Sequence, residues 1–208
     1  MNVDYSLYLV TDRDVLQGRN LLDAVAEGIE GGVTLVQLRE KGVSSREFYR
    51  LALQVKRLVH ARGVPLVIND RLDIALAVDA DGLHIGQEDL PAPVARKILG
   101  PGKLLGLSVS DVQEAVQGEK EGADYLGAGA VFPTASKDVP VPPIGPAGLQ
   151  MVKDAVSIPV VGIGGIGPAN IDQVKETGVD GAAVISAIFG AHHIQDAARK
   201  LSEAWKRP

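Results

Sequence analysis

Apolar residues along this chain gather in short continuous runs, and each run is followed by a segment with helical spacing, eight times over. The runs cover residues 7–10, 34–38, 66–68, 83–85, 104–107, 125–128, 160–163 and 183–185. Most lack the polar alternation of a half-exposed strand, as expected for strands covered on both faces. The segments between them carry apolar stripes. Phe48, Leu51, Ala52, Val55, Leu58 and Val59 form one, and Ile194, Ala197, Ala198, Leu201 and Trp205 another. Ser44 with Glu47, and Ser110 with Gln113, have the spacing of a helix capping box. Gly32, Gly63, Gly122 and Gly178 stand where a helix ends shortly before the next strand.

Eight βα units admit an open doubly wound sheet or a closed barrel. The count of eight favours a single (β/α)8 TIM barrel over residues 1–208, at the small end of the size range for that fold. The third unit, 69–78, saves length with a short helix. The repeats keep no fixed period, so a solenoid is not expected. The densest proline stretch, 133–146, falls between the sixth strand and its helix and reads as a long active-site loop.

Composition narrows the class. Of 208 residues 46% are hydrophobic and 23% charged, which suits one soluble catalytic domain and excludes disorder. The net charge of −5, with no basic cluster, offers no footprint for nucleic acid. Cysteine is absent, which removes disulfides, thiolate metal sites and a cysteine nucleophile. Neither a signal-peptide pattern nor an apolar run of membrane length is present, so a cytoplasmic location without membrane association is expected. A homo-oligomer is left open.

In a barrel, chemistry sits where strands end and βα-loops begin. Those positions hold Gln37, Arg39 and Lys41; Asn69, Asp70 and Arg71; Gln87, Glu88 and Asp89; Ser108; Thr134, Ser136 and Lys137; Gly164 and Gly165; and Ser186. Asp70 and Asp89, at the tips of neighbouring strands, can share a hard divalent cation such as magnesium (Mg2+). They can equally cap the helices that follow. Alternation puts Gln37, Arg39 and Lys41 on one side of an extended segment, where two cations suit a diphosphate, with Lys137 across the barrel adding a third. The plainer alternative pairs Arg39 with Glu40 or Glu47. Gly162-Ile163-Gly164-Gly165-Ile166 and Ile185-Ser186 occupy the barrel's usual phosphate position, although tight turns need glycine anyway. His60, His192 and His193 are expected in solvent, and His84 is expected to be a packed strand histidine. Zinc spacing, a Gly-x-Ser-x-Gly elbow and a Walker loop are all missing.

Taken jointly, Gln37-Leu38-Arg39-Glu40-Lys41, Asn69-Asp70, Asp81-Gly82-Leu83-His84-Ile85-Gly86-Gln87-Glu88-Asp89, Gly129-Ala130-Val131-Phe132-Pro133-Thr134 and Gly162-Ile163-Gly164-Gly165-Ile166 resemble the thiamine-phosphate synthase family. The resemblance covers nearly the whole chain in order. It implies a transferase of thiamine biosynthesis that condenses an aminopyrimidine diphosphate with a thiazole phosphate, releasing pyrophosphate. By the same resemblance Gln37, Leu38, Arg39, Glu40, Lys41 and Asn69 bind the pyrimidine diphosphate, and Ser108 and Lys137 contact it. Asp70 and Asp89 hold Mg2+, while Thr134, Ala135, Ser136, Gly165, Ile185 and Ser186 surround the thiazole phosphate. Arg39, Lys41, Ser108 and Lys137 are then the catalytic candidates. One departure is visible: Ser136 stands where the family loop carries a second threonine.

A sister group of thiazole tautomerases and regulator-like proteins resembles the synthases in scaffold but carries a histidine soon after the fifth strand. Here that stretch reads Ser108-Val109-Ser110-Asp111. A phosphate-handling isomerase would need an acid/base pair that the tips do not offer. A ligand-sensing descendant could have lost the metal and diphosphate residues, and all are present. The synthase is the expectation.

Overall fold

The structure is a computed structural model that describes residues 3–134 and 142–207. Eight strands are formed: β1 (Leu7–Val10), β2 (Leu35–Leu38), β3 (Leu66–Asn69), β4 (Gly82–Ile85), β5 (Leu104–Val109), β6 (Tyr125–Gly129), β7 (Val160–Ile163) and β8 (Gly181–Val184). Each pairs in parallel with the next, and β8 closes on β1. The fold is the (β/α)8 barrel. Helices α1 (Arg13–Leu16) and α2 (Leu21–Glu30) follow β1, and α3 (Ser45–His60) through α8 (Ile171–Lys175) follow β2 to β7 in turn. These are α4 (Leu72–Ala77), α5 (Ala92–Leu99), α6 (Val112–Lys120) and α7 (Gly145–Asp154) in between, while α9 (Ser186–Phe189) and α10 (Ile194–Lys206) follow β8. No described helix is long and apolar enough to cross a membrane.

Strand side chains alternate between two cores. Leu7, Leu9, Val36, Leu38, Leu66, Ile68, Leu83 and Ile85 point outward and pack with the helices. Tyr8, Val10, Leu35, Val67, Tyr125, Val161 and Ala183 fill the barrel interior. The helical stripes meet the outer core as their spacing predicts: Phe48, Ala52, Val55 and Val59 are buried on α3, and Ala198 and Leu201 on α10.

Local chemistry moves some expected boundaries. The box of Ser44 and Glu47 caps α3 as expected. At α6, however, Asp111 is the cap, accepting from the Glu114 N–H at 2.8 Å, so the Ser110–Gln113 expectation was one residue early. Glu114 instead reaches back to the Ser110 N–H and hydroxyl. β4 and β8 each start on a glycine, earlier than their apolar runs suggest. At Gly181 a Cβ would sit 1.8 Å from the Tyr5 carbonyl oxygen, and at Gly82 2.7 Å from Leu104 Cβ. Those glycines permit close strand approach rather than marking a turn.

The residue before every even-numbered strand latches the start of the preceding odd one. Thr34 Oγ1 accepts from the Leu7 N–H at 3.1 Å. Asp81, Asp124 and Asp180 accept from the N–H groups of Leu66, Leu105 and Val160 at 2.7, 2.7 and 2.8 Å. Each aspartate also meets a basic side chain from the helix that precedes the odd strand, namely His60 of α3, Arg96 of α5 and Lys153 of α7. His60 is therefore half-exposed and paired, where plain solvation was expected. His192 and His193 are exposed as expected.

Asp180→Ala should lower the folding free energy by about 1–3 kcal/mol, the scale of a partly buried N–H left without its acceptor. Asp180→Asn, which keeps an oxygen for the Val160 N–H, should lose clearly less. Urea unfolding of the three proteins reads both values, and equal stability of wild type and the Ala variant would leave the latch without energetic weight.

Candidate active site

The C-terminal ends of the strands surround a cavity that opens to solvent. Gln37, Arg39, Asn69 and Ser108 line one side. Thr134, Gly164, Gly165, Ile185 and Ser186 line another, with Tyr8, His84 and Val161 also in the wall. Eight of the sixteen strand-tip residues picked out by sequence position thus share one cavity, while Lys41, Asp70, Arg71, Gln87, Glu88 and Asp89 are not in its wall.

Arg39 is held firmly. Its guanidinium donates to Asp12 Oδ2 at 3.0 Å, and its backbone exchanges hydrogen bonds with the buried Thr11 hydroxyl, N–H to Oγ1 at 2.9 Å and Oγ1 to C=O at 3.3 Å. Neither Glu40 nor Glu47 pairs with it. Glu40 lies under Arg13 at 2.9 Å, and burial raises its pKa against the pull of that arginine. Glu47 is spent on the α3 cap. The side chains of Leu38 and Glu40 are therefore turned away from the cavity, Leu38 into the outer core. Lys41 is exposed and outside the cavity wall, because β2 ends at Leu38 and the alternation stops there; among the described residues it has no hydrogen bond or ion pair.

Asp70 and Asp89 meet, although Gln87 and Glu88 precede Asp89 at the β4 tip. Neither caps a helix: the N-cap of α4 is Arg71 and that of α5 is Pro91. Asp70 occupies left-handed backbone space at φ 61°, a region aspartate tolerates better than most residues. Its pKa is pushed up to about 6, first by desolvation, then by the charge and hydrogen bond of Asp89, with Arg39 and Asn69 opposing. Asp89 is fixed in turn by the Gly86 N–H, 2.7 Å from its Oδ2. Two carboxyls in hydrogen-bond contact must share a proton or a cation. Their hard oxygen donors fit a divalent metal of the magnesium type.

Across the barrel, Gly164 and Gly165 have φ 98° and 66°, a conformation other residues rarely adopt. The turn is braced by Asn170, whose side chain accepts from the Gly167 N–H and donates to the Gly165 carbonyl at 2.8 and 2.9 Å. A Cβ on Gly165 would fall 2.6 Å from the Pro133 carbonyl oxygen and 2.8 Å from Phe132 Cβ. This glycine therefore admits the start of the proline-rich loop as well as any ligand. Ala135, Ser136 and Lys137 lie outside the described residues.

Sequence position picked out Gln37 and Ser108 but missed the side chains that join them beneath the cavity. Gln37 Nε2 donates to Tyr8 Oη at 2.8 Å, and Tyr8 Oη lies 2.8 Å from Tyr125 Oη. Tyr125 Oη lies 3.0 Å from His84 Nδ1, and His84 Nε2 lies 3.0 Å from Ser108 Oγ. His84 is packed, as expected, but it also lines the cavity. The available signal was a polar side chain at an inward position of otherwise apolar strands, as in Leu7-Tyr8-Leu9, Val36-Gln37-Leu38 and Leu83-His84-Ile85.

The profile of the family described as thiamine monophosphate synthase matches residues 7–188. The thiamine-phosphate synthase of Syntrophomonas wolfei is 56% identical over 207 residues, which is 100% of this chain and 99% of that one. Its counterpart in Desulfitobacterium hafniense is 57% identical over 206 residues, 99% of this chain and 100% of that one. Among solved structures, thiamine phosphate pyrophosphorylase from Pyrococcus furiosus matches with a TM-score of 0.90 at 42% identity, over 98% of this chain and 96% of that chain. A 3-hexulose-6-phosphate synthase, at 18% identity and a TM-score of 0.73 over 96% of this chain and 99% of that one, shares the fold alone. With a closed barrel, a strand-end cavity lined in part by polar side chains and relatives that match it end to end, the chain belongs to the thiamine monophosphate synthase family and is a transferase of thiamine biosynthesis.

Proposed function

We propose that this transferase seats both substrates in the one cavity, an aminopyrimidine diphosphate on the β2–β4 side and a thiazole phosphate on the β7–β8 side. The observation that carries this reading is the pairing of two anion-directed constellations in a single space. Arg39 and Asn69, beside the Asp70–Asp89 pair, stand at β2 to β4. The Gly164–Gly165 turn and Ser186 stand at β7 and β8, about half a turn round the eight-stranded ring. Fixed backbone N–H groups at such a turn suit a phosphate dianion, and Arg39 suits a diphosphate.

Bond breaking at the pyrimidine methylene leaves positive charge that the aminopyrimidine delocalises, and negative charge on departing pyrophosphate. Arg39, oriented by Asp12 and Thr11, meets that negative charge without reorganising. Asp70 and Asp89 would hold Mg2+, which when bound adds charge neutralisation at the same leaving group. Lys41 and Lys137 are assigned to the diphosphate as further cations, and Leu38 and Glu40 are left to contacts through their backbone. Gln37 and Ser108 orient the pyrimidine, while Thr134, Ala135, Ser136, Gly165, Ile185 and Ser186 hold the thiazole phosphate. The thiazole nitrogen attacks with its lone pair, so it needs no general base; orientation supplies much of the remaining acceleration. The working enzyme is taken to be one catalytic domain over 1–208, acting on small molecules in the cytoplasm.

Thiamine phosphate formation from the two substrates, with and without Mg2+, tests the reading directly. Asp70→Asn and Asp89→Asn should each lower turnover by about 100-fold, with the double variant little worse, because both carboxylates serve one ion. Added Mg2+ should partly rescue the single variants. Near-normal turnover and metal dependence in the Asn variants would remove both aspartates from the chemistry.

Gly165→Val should raise the Michaelis constant for the thiazole phosphate by about 10-fold or more and leave that for the pyrimidine diphosphate nearly unchanged. Because the new side chain also collides with Phe132 and Pro133, its melting temperature should fall too. Equal weakening of both substrates would argue against separate anchoring.

A further inference from the structure

The chain Gln37–Tyr8–Tyr125–His84–Ser108 crosses the barrel interior and touches five strands, β2, β1, β6, β4 and β5. Tyr125 is wholly buried and Tyr8, Gln37 and His84 nearly so. The barrel gives up two side chains to accommodate it. A Cβ on Gly106 would fall 2.2 Å from the Tyr125 ring and 2.4 Å from His84 Nδ1, and one on Gly127 would fall 3.1 Å from His84 Cε1. Apolar filling at these positions would avoid desolvating an amide, two phenols and an imidazole. Packing alone therefore does not account for the chain.

We propose that these residues form a polarised hydrogen-bond relay that fixes the tautomer of His84 and turns the Ser108 hydroxyl proton toward the bound pyrimidine. The polarity follows from the Gln37 end. Tyr8 Oη accepts from the Gln37 amide, so its own proton goes to Tyr125 Oη. Tyr125 then donates to His84 Nδ1. An imidazole that accepts at Nδ1 carries its proton on Nε2, and that N–H donates to Ser108 Oγ. Ser108 consequently does not donate to His84, and its proton is available to the cavity it lines. Burial raises the pKa of both tyrosines far above the usual phenol range, which keeps both as donors at neutral pH. With Gln37 Nε2 committed to Tyr8, its Oε1 is the group left for a ligand. The relay thus presents an acceptor at Gln37 and a donor at Ser108, a set suited to a heteroaromatic amine with ring nitrogens. Tyr8, Tyr125 and His84 are positioning residues on this account. The proposal rests on the reading of the cavity as the pyrimidine's seat, but its central claim concerns the protein alone.

The test starts without substrate. In the 15N-histidine-labelled full-length protein, long-range proton–nitrogen spectra report each ring's tautomer, and a His84→Gln variant identifies the His84 signals. The expected result is Nε2–H in wild type and loss of that preference in Tyr125→Phe. A wild-type Nδ1–H tautomer would overturn the relay, whatever the protein catalyses. Conversely, an Nε2–H tautomer in a protein that makes no thiamine phosphate would sink the functional reading and leave the relay standing. In the assay, Tyr125→Phe should lower kcat about three- to tenfold, the scale of one hydrogen bond, with little change in the Michaelis constant for the thiazole phosphate. On a Ser108→Ala background the same change should have almost no further effect; an undiminished effect there would overturn the route through Ser108. Should Tyr125→Phe not fold, Tyr8→Phe breaks the same chain one link earlier and serves both measurements.

Discussion

Closing eight parallel strands into a ring forces alternate side chains of every strand into one small space, and that constraint governs the rest of this molecule. The outward set meets helices and can be uniformly aliphatic. The inward set must fill a fixed volume, which rules out a large residue at every position. Tyr125 and His84 use so much of it that β5 and β6 carry Gly106 and Gly127 at inward sites. Polar atoms brought inside then have only one another as partners. The described residues leave no buried side-chain nitrogen or oxygen without a hydrogen bond, which is the condition for such a network to be tolerated.

The two ends of the ring are built differently for a related reason. At the N-terminal end, Thr34, Asp81, Asp124 and Asp180 join strands in pairs, each satisfying an N–H that the sheet does not use. The repeat falls only on even-numbered strands, so the barrel is stitched as four two-strand units. At the C-terminal end the polar groups are spent on preparing a site. Asp12 and Thr11, just beyond β1, act on Arg39 just beyond β2. Gly86 at the β4 tip holds Asp89 against Asp70. Arg39 is thus fixed from the tip of the neighbouring strand, and Asp89 from within its own loop.

This division explains what was legible in the sequence. Strand number, barrel closure and part of the cavity wall follow from local pattern, because a buried strand declares itself within four residues and its tip is the next residue along. Boundaries failed where one residue type has two uses. Gly181 falls before the apolar run of 183–185 and is a strand residue, and Thr34 opens the run of 34–38 and is a latch. Alternation through Gln37, Arg39 and Lys41 held only as far as the extended backbone did, and Gly42, at φ 73°, belongs to the turn beyond it. The relay was illegible for a deeper reason. Tyr8 and Tyr125 are 117 positions apart, and only ring closure makes them neighbours.

The Asp70–Asp89 pair is where the fold's constraints and the proposed chemistry pull in opposite directions. Burial and mutual repulsion raise the Asp70 pKa to about 6, and its backbone sits at positive φ. Both features weaken rather than stabilise the apo barrel. Asparagine would keep the hydrogen bonds, tolerate the backbone and remove the repulsion. Structure alone therefore gives no reason for two aspartates here, whereas the proposed divalent cation would, since it would convert their repulsion into binding energy. Arg39 is attracted to the same pair but is already engaged by Asp12. It is thereby held at the cavity wall instead of collapsing onto Asp70 and Asp89. On the proposed function, the Asp12 contact would keep one positive group for the diphosphate and leave the two carboxylates for the metal.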